Sequence, residues 1–484
     1  MSNFEMKLNN LSKEELIREI KKLRKRKKYG VVWEDKSEEV VDFCKEKLPV
    51  LNEKKNNEIL NDKNESYNIL IEGDNYHALS VLNYTHKGKI DVIYIDPPYN
   101  TGARDWTYNN NFVDSEDPYR HTKWLSFMNH RLCLAKNLLS STGIICCTID
   151  DYELPRLWML MDEIFNENHL GTIVIRINPG GRKSKKKVAA QHEYALFYSR
   201  NSSVKVSQIP VPPEEKSHSY KQDEFGWYEE RNLRKEGSDS LAKKDSKRYF
   251  SIYYDPDTKK LSIKTKYKIE ILPIDTSNQK RIWRRNAETV DEMVKNEDIF
   301  VKKTKYGNQV YFKFRGGLKG ETPKSMWTDK KFSASEHGTQ TLDKILGERE
   351  TFSFPKSPHA TAECIKVASD KKNAIILDFF AGSGTTAQSV LDLNKSDGGN
   401  RKFILCTNNE NEICSEVCYP RVKKIMNGYG SENVKGLGGN LKYFVTKFVD
   451  SKPTDRNKQN LILQSTEMLC IKEDCFDEVK SSKF

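Results

Sequence analysis

The sequence predicts an α/β fold in which one parallel sheet is interrupted in the chain by an inserted α+β domain. Short apolar runs alternate with helical patterns over residues 67–170 and again over residues 346–450, which is the pattern of a sheet covered by helices. The stretch between them, residues 171–345, has short alternating strand patterns, many aromatic residues and clusters of basic residues. We therefore predict that the two flanking stretches share one sheet and that the stretch between them forms a separate domain.

Residues 1–66 are predicted to form an N-terminal helical segment. A capping box at Ser12 and an apolar face at helical spacing indicate a helix at its start. That helix ends in the basic run 21–28, which either contacts phosphates or is a solvated helix end stabilised by the helix dipole. Residues 31–66 are charged and mostly helical in pattern, and we expect them to pack on the first half of the sheet.

The remaining elements are predicted from the same periodicity. Buried strands are expected at residues 68–71, 91–95, 143–149, 374–378 and 403–407, and a helix is expected over residues 124–139. Residues 451–484 are interpreted as a C-terminal tail.

The first candidate site is the turn Asp96, Pro97, Pro98 and Tyr99, which follows an apolar strand. The Asp96 carboxylate can accept a hydrogen bond from an exocyclic amino group. Proline has no N–H of its own, so carbonyl groups in the turn remain available for the second amino proton. Tyr99 offers a flat face on which a base can stack. The alternative is an ordinary turn at the end of a strand, where Asp and Pro are common.

The second candidate site is the sequence Asp-Phe-Phe-Ala-Gly-Ser-Gly-Thr-Thr at residues 378–386. It follows an apolar strand and precedes a helical pattern. Gly382 and Gly384 allow close approach of the backbone to a ligand, and the helix end offers free N–H groups, so the segment suits a nucleotide-like ligand. The third glycine of the dinucleotide fingerprint is missing, which argues against a nicotinamide enzyme.

Together the two motifs resemble the beta class of amino DNA methyltransferases, in which the catalytic motif precedes the glycine motif. Protein-glutamine methyltransferases carry a related Asn-Pro-Pro-Tyr after their glycine motif, so the order here disfavours them. Further matches at residues 70–75, 191–198, 354–356 and 403–410 make the chain similar to the modification (Mod) subunit of type III restriction-modification systems. The resemblance covers roughly residues 29–450 and is weakest in the middle.

The resemblance implies a Rossmann-like S-adenosylmethionine-dependent methyltransferase sheet of seven strands, one of them antiparallel. It also implies that residues 171–345 are a target-recognition domain that reads base edges in double-stranded DNA. Basic runs at residues 182–187, 281–285 and 302–305 lie among aromatic residues there, as suits DNA contact. The alternative is a charged surface domain with no ligand.

The resemblance also assigns roles to individual residues. The target base would be held by Asp96, Pro97, Pro98 and Tyr99. S-adenosylmethionine, the methyl donor, would be held by a set spread over the chain: Asp74, Lys356, Asp378, Phe379, Phe380, Gly382, Gly384, Thr385, Asn408 and Glu410.

Four of these residues have a more specific expected role. Asp74 would contact the adenine amino group of the cofactor, and Lys356 would pair with its methionine carboxylate unless it is a plain surface lysine. Asn408 and Glu410 are both candidates for the ribose hydroxyls. His192 and Glu193, at the start of an apolar strand, are interpreted as structural.

The N6 amino group of adenine is the predicted target, because adenine enzymes typically begin the catalytic motif with Asp. Cytosine-N4 enzymes more often carry Ser, and they remain the alternative. The base would be flipped out of the duplex, and its amino nitrogen would attack the methyl group directly. This chemistry needs neither a metal nor a catalytic cysteine.

Charge and composition agree with a DNA-binding protein of the cytoplasm. The 484 residues carry a formal charge of +12, which suits a polyanionic partner. No signal peptide and no membrane span are predicted, and the ten cysteines are expected to be reduced and mostly buried.

The expected partners follow from the resemblance. It implies a homodimer and a separate restriction (Res) subunit that supplies ATP-driven cleavage, since no Walker motif is present. A recognition subunit that positions a nuclease without methylating DNA, and a stand-alone methyltransferase, are the other possibilities.

Overall fold

The computed structural model describes residue 12 and residues 33–109, 111–181, 188–209, 220–223, 226–243, 246–315, 320–349, 351–430 and 434–476. The predicted N-terminal helix, apart from Ser12, and the basic run 182–187 lie outside these residues. The chain divides into two compact units. Unit 1 comprises Met1–Ser207 and Pro323–Phe484, and unit 2 comprises Gln208–Thr322.

The strands, in chain order, are β1 (Lys47–Glu53), β2 (Tyr67–Glu72), β3 (Ile90–Ile95), β4 (Ala103–Tyr108), β5 (Asn111–Asp114), β6 (Leu139–Ile149), β7 (His169–Arg176), β8 (His192–Ser199), β9 (Tyr220–Asp223), β10 (Gly226–Asn232), β11 (Ile252–Tyr254), β12 (Leu261–Ser262), β13 (Ile269–Ile271), β14 (Ile299–Thr304), β15 (Gly307–Phe314), β16 (Met326–Trp327), β17 (Ile375–Asp378), β18 (Lys402–Thr407), β19 (Gly428–Tyr429), β20 (Val434–Lys435) and β21 (Asn440–Asp450).

The α-helices, in chain order, are α1 (Glu39–Glu46), α2 (Asn75–Thr85), α3 (Arg120–Leu138), α4 (Leu154–Phe165), α5 (Ala287–Lys295), α6 (Gln340–Leu346), α7 (Pro358–Ala368), α8 (Thr385–Asp397), α9 (Tyr419–Asn427), α10 (Asp455–Leu463) and α11 (Thr466–Glu473).

Unit 1 is built on a sheet of ten strands in the order β1-β21-β2-β18-β17-β3-β6-β8-β7-β16. The seven consecutive strands from β2 to β7 contain one strand, β8, that runs antiparallel to both of its neighbours, and the other pairings within the seven are parallel. The predicted α/β fold is confirmed, but among the described residues the sheet has ten strands and not the predicted seven, and two of them, β1 and β8, run antiparallel to the strands beside them. The sheet is wider than predicted because β1 and β21 extend one edge and β16 extends the other.

The central strands are buried on both faces. In β3, consecutive residues from Val92 to Ile95 are at most 3% exposed, and because successive side chains point to opposite faces, both faces must be covered. Helices α2, α3 and α4 contact one another in sequence, and α7, α8 and α9 do the same. These two groups of helices cover the central strands, as the apolar sequences of those strands require.

The segment before β2 and the segment after β21 differ from the expectation of a helical region and a tail. Residues 47–53 form β1, which pairs antiparallel with β21 from Lys47 opposite Asp450 to Glu53 opposite Phe444. Its central residues Val50 and Leu51 are fully buried. The pairing joins residues about 400 positions apart, so no local pattern could predict it. Beyond β21, helices α10 and α11 form, and α11 packs on α2 and β1.

Unit 2 is an α+β domain with two antiparallel sheets. One has the order β14-β15-β10-β9, and the other has the order β12-β11-β13. Trp283, which is 1% exposed, lies in its core and donates a hydrogen bond from Nε1 to the carbonyl of Phe250 at 2.8 Å. The unit is narrower than the predicted insertion of residues 171–345, because β7, β8 and β16 belong to the sheet of unit 1.

Replacing Trp283 by alanine should destabilise unit 2 selectively. Truncating a large buried aromatic residue costs about 3–5 kcal/mol, and the Nε1–H bond to Phe250 is also lost. Hydrogen exchange should show faster amide exchange in β10 and β15, with β3 and β17 unchanged. Tyr306→Ala, at a position 61% exposed, is the control. Equal acceleration in both units would contradict the assignment of Trp283 to an independent core.

Candidate active site

The Asp96 carboxylate lies directly after β3, at the carboxyl end of the central parallel strands. Its Oδ1 atom accepts hydrogen bonds from the Tyr99 hydroxyl at 2.8 Å and from the Thr148 hydroxyl at 2.7 Å. The Lys356 ammonium lies 3.2 Å from the same oxygen. Its Oδ2 atom accepts no hydrogen bond from any residue that the structure describes. The carboxylate is therefore held by one oxygen while the other remains available to a ligand.

The turn that follows Asp96 is fixed by its own hydrogen bonds. The Pro98 carbonyl accepts a bond from Trp124 Nε1 at 2.7 Å, so that carbonyl is already occupied. Asn100 is fully buried with φ of +55°, a conformation that asparagine tolerates better than most residues. Its side-chain oxygen accepts a bond from Trp106 Nε1 at 3.0 Å. Such bonds hold Tyr99 in one position.

Two further charged residues, Glu193 and Lys356, complete this cluster. The Lys356 ammonium bonds to the Glu193 carboxylate and to the Tyr99 hydroxyl, and it lies 4.6 Å from the centroid of the Tyr99 ring. The Tyr99 hydroxyl is also 3.0 Å from Glu193 Oε2. Glu193 is 1% exposed. We call Asp96, Tyr99, Thr148, Glu193 and Lys356 the Asp96 cluster.

Burial and charge shift the pKa values of this cluster. Burial raises the pKa of the Glu193 carboxyl, and Lys356 opposes that shift. Burial alone would lower the pKa of the Lys356 ammonium, but the charges of Asp96 and Glu193 raise it above its usual value. Burial beside the same two carboxylates also raises the pKa of the Tyr99 hydroxyl well above its usual value. Lys356 is therefore a cation and Tyr99 a neutral donor near neutral pH.

The glycine motif lies after β17, the strand next to β3. Asp378 closes the turn: its Oδ1 accepts a bond from the Phe380 N–H at 3.0 Å, and its Oδ2 accepts one from the Thr386 hydroxyl at 2.5 Å. Gly382 and Gly384 have φ of +48° and +78°, a region that favours glycine. A Cβ atom at Gly382 would come within 3.2 Å of the Phe352 ring.

The glycine motif suits a nucleotide-like ligand. Helix α8 begins at Thr385, and its N-cap Gly384 contributes no side-chain cap, so the first N–H groups of the helix are open to a ligand. Phe379 is buried under the turn, whereas Phe380 is partly exposed beside it, 5.1 Å from Phe379 by ring centroids. These features match the cradle expected for S-adenosylmethionine.

Asp74, another residue predicted to bind the cofactor, lies at the start of α2. Asp74 caps α2 by accepting a bond from the Tyr76 N–H at 2.7 Å, and it lies 3.4 Å from the Arg131 guanidinium. The next residue, Asn75, donates to the Phe379 carbonyl at 3.0 Å, which places the start of α2 beside the glycine turn.

The remaining predicted cofactor residues are Thr385, which begins α8, and Asn408 and Glu410, which follow β18. The Thr385 hydroxyl accepts a bond from the buried Arg421 at 2.8 Å. Asn408 and Glu410 are exposed after β18, 3.4 Å apart. The described contacts of Lys356 join it to Tyr99, Glu193 and Asp96, and none of them reaches the glycine turn.

The parallel pairing of β3 and β17 brings the two motifs to the same edge of the sheet. Ile376 pairs with Val92 and Leu377 with Ile93, so Asp96, which follows β3, and Asp378, which ends β17, lie on neighbouring strands. The predicted residues of both motifs therefore share one edge, as expected for ligands at the carboxyl ends of parallel strands.

Glu193 is a member of the Asp96 cluster that the sequence motifs do not predict. It was interpreted as structural because it begins the apolar strand β8. An acidic residue in a strand that is otherwise buried was the available signal, since buried carboxylates are rare unless they are paired. Thr148, inside the apolar strand β6, gave no such signal.

Three further features of the described residues concern metal ligands, membrane-spanning helices and cysteines. Among the residues that the structure describes, no group of three or more His, Cys, Asp or Glu side chains is arranged to hold a metal ion. Within the same residues, no helix has the length and apolar character needed to cross a bilayer. All ten cysteines are free thiols, and most are buried, as expected.

Residues 90–417 match the family model of the N6/N4 methyltransferases, described as DNA methylase. The type II methyltransferase M.KpnI of Klebsiella pneumoniae is 35% identical over 72% of this chain and 82% of its own length. The EcoPI Mod subunit of Escherichia phage P1 is 29% identical over 74% of this chain, and the StyLTI Mod subunit of Salmonella typhimurium is 29% identical over 76%. The chain spans only 60% and 57% of these two Mod subunits.

Solved structures give a weaker likeness. The PvuII DNA methyltransferase (cytosine-N4-specific) is 12% identical, with a TM-score of 0.38, over 75% of this chain and 95% of the solved chain. A TM-score this low leaves the fold assignment to the strand order described above.

Replacing Asp378 by asparagine should remove a pH dependence of stability. Burial raises the pKa of Asp378 from 3.8 to about 7. Between those values the folded protein keeps a proton that the unfolded chain has released, so the stability that depends on this group falls as pH rises. Relative to Asp378→Asn, the wild type should lose up to about 1.4 kcal/mol of unfolding free energy per pH unit in this window.

Urea unfolding at about pH 5 and about pH 6.5 measures this difference. The exposed Asp370→Asn serves as the control. Parallel pH profiles for the wild type and Asp378→Asn would contradict a raised pKa.

Proposed function

Because this chain belongs to the N6/N4 methyltransferase family of DNA methylases, we propose that it methylates the N6 amino group of adenine within a short DNA sequence. The methyl donor of the family is S-adenosylmethionine, and the glycine motif of this chain fits it. The family match confirms the resemblance seen in the sequence. The observation that carries the proposal is the Asp96 carboxylate, whose Oδ1 is held by donors and whose Oδ2 is open.

Asp96 and the turn after it would act on the amino group. S-adenosylmethionine, when bound, supplies a methyl group that is open to nucleophilic attack. Asp96 Oδ2 would accept a hydrogen bond from one amino N–H and the Pro97 carbonyl would accept one from the other, which turns the nitrogen lone pair out of conjugation with the ring. The carboxylate would also stabilise the positive charge that develops on nitrogen. Most of the rate gain would come from this positioning.

Tyr99 would hold the base after it leaves the duplex. A base inside a duplex cannot present its amino nitrogen to this edge of the sheet, so it must be flipped out. The Lys356 ammonium lies over the Tyr99 ring, 4.6 Å from its centroid, and Tyr99 remains partly exposed. The base would therefore stack on the ring face that Lys356 does not cover.

The cofactor residues remain those proposed from the motif. Phe380, Gly382 and Gly384 would line the methionine and ribose side, with Asp378 ordering the turn. Asp74 would contact the adenine amino group of the cofactor, and Asn408 or Glu410 the ribose. Thr385 would contribute through the first turn of α8.

Lys356 is the exception within the predicted cofactor set. Its bonds to Asp96, Tyr99 and Glu193 favour a role at the catalytic motif over the proposed contact with the methionine carboxylate.

Unit 2 is proposed as the target-recognition domain. It carries a basic surface cluster around a cavity of about 250 Å³ that is lined by Arg231, Lys235, Arg248, Arg284 and Arg285. Such a surface suits the DNA backbone.

Adenine is preferred over cytosine because the catalytic motif begins with Asp. Cytosine-N4 methylation is the second candidate, since the family model includes both N6 and N4 enzymes.

The chain is proposed to act as the Mod subunit of a type III restriction-modification system in the cytoplasm, as a homodimer beside a separate Res subunit. The support is the similarity to Mod subunits. The greater identity to a type II methyltransferase favours the alternative of a methyltransferase without a nuclease partner. Co-purification with the products of neighbouring genes separates the two.

Methylation mapping at single-base resolution tests the proposed activity. DNA from a host without methylation that expresses the protein should carry N6-methyladenine at one short motif. Asp96→Ala should abolish the modification, because the amino group loses its acceptor. N4-methylcytosine would overturn the base assignment. A soluble wild-type protein that binds S-adenosylmethionine and leaves DNA unmodified would favour a recognition subunit.

A further inference from the structure

Glu193 is a buried carboxylate that the proposed reaction does not explain. It is 1% exposed, and a carboxylate is costly to bury unless it is paired and hydrogen-bonded. Its described partners are Lys356 and Tyr99, and both also contact Asp96. Among the described residues no hydrogen bond joins Glu193 to Asp96, so the contacts that link the two carboxylates are those of Lys356 and Tyr99.

The donors in the cluster fix where each proton goes. Lys356 has three protons, and it is within bonding distance of Glu193, Tyr99 and Asp96. The Tyr99 hydroxyl has one proton and lies 2.8 Å from Asp96 and 3.0 Å from Glu193. Because Lys356 already satisfies Glu193, the Tyr99 proton is free to bond to Asp96. Asp96 Oδ1 then receives Tyr99, Thr148 and Lys356 together.

We propose that Glu193 is a positioning residue for methyl transfer, which holds Lys356 and Tyr99 on one oxygen of Asp96 so that the other oxygen meets the substrate amino group. The inference rests on the proposed function and adds Glu193 to the residues that take part in it. Without Glu193, the Lys356 ammonium would lose its main anchor and could turn toward Asp96 Oδ2, where the amino group has to bind.

Charge supports the same arrangement. Two carboxylates and one ammonium, Asp96, Glu193 and Lys356, sum to one negative charge. With Glu193 neutral, the full charge of Lys356 would act on Asp96 and weaken it as a hydrogen-bond acceptor. The other titratable groups whose pKa values the Asp96 charge raises are Tyr94, Tyr99, Cys147 and Asp378.

Four variants test the proposal with the full chain, DNA that carries its methylation motif, and labelled S-adenosylmethionine. Glu193→Gln removes the charge with little change of shape, and Lys356→Met removes the cation. Glu193→Gln leaves the Lys356–Asp96 ion pair in place, and the double variant tests whether Glu193 still has an effect once Lys356 is absent. Asp162→Asn is the matched control. Asp162 accepts a hydrogen bond at 2.6 Å from Tyr198, which lies in β8 as Glu193 does, and Asp162 is outside the Asp96 cluster.

The measurement is the single-turnover rate of methyl transfer at saturating DNA and cofactor. Glu193→Gln should slow methyl transfer by at least about tenfold, with the dissociation constants of DNA and S-adenosylmethionine within about twofold of wild type. Asp162→Asn should transfer at the wild-type rate. The double variant should be no slower than Lys356→Met alone, because Glu193 acts through Lys356.

The results that would contradict the role of Glu193 differ from the result that would contradict the proposed function. A Glu193→Gln rate near that of wild type would overturn the proposal, and so would a loss of cofactor or DNA binding that accounts for the whole effect. A double variant slowed by the product of the two single effects would show that Glu193 acts independently of Lys356. A wild type that transfers no label to any DNA would instead overturn the proposed function, and this inference with it.

Discussion

The parallel pairing of β3 with β17 is the interaction on which the rest of the site depends. It joins segments that lie about 280 residues apart in the chain, at Ile376 opposite Val92 and Leu377 opposite Ile93. Because parallel strands end at the same edge, Asp96 and the glycine motif become neighbours although the whole of unit 2 lies between them in sequence. Catalytic and cofactor motifs in the opposite order along the chain could reach the same arrangement, since only the strand order in space matters.

The electrostatics of the site follow from that position. Asp96 lies at the end of a buried strand, so its neighbours are buried as well, and a lone carboxylate there would be costly. The chain surrounds it with a cation and two hydroxyl groups, from Lys356, Thr148 and Tyr99. The cation is itself buried and needs Glu193. One cation thus serves two carboxylates, and one oxygen of Asp96 is left for a substrate.

Much of this could be predicted from sequence, for a physical reason. The strands that carry the motifs are continuous apolar runs, and their ends are marked by turn residues such as Pro97 and Gly382, so both motifs were placed correctly on strand ends. The elements that were missed depend on distant partners. The strand β1 exists because of β21, and the limits of unit 2 depend on β7 and β8 joining the other sheet. Thr148 and Glu193 reach Asp96 and Lys356 only because β6 pairs with β3 and β8 pairs with β6.

In the proposed reaction, donors occupy Asp96 Oδ1, and Oδ2 accepts a hydrogen bond from the substrate amino group. The single-turnover rate of Asp96→Asn tests it most directly. The carbonyl oxygen of asparagine would replace Oδ1 and face Lys356, Tyr99 and Thr148, so its amide NH2 would face the amino group, donor against donor. The account predicts a rate at least about 100-fold below wild type, with the thermal midpoint and the dissociation constants of DNA and S-adenosylmethionine nearly unchanged. A rate within a few-fold of wild type would contradict it.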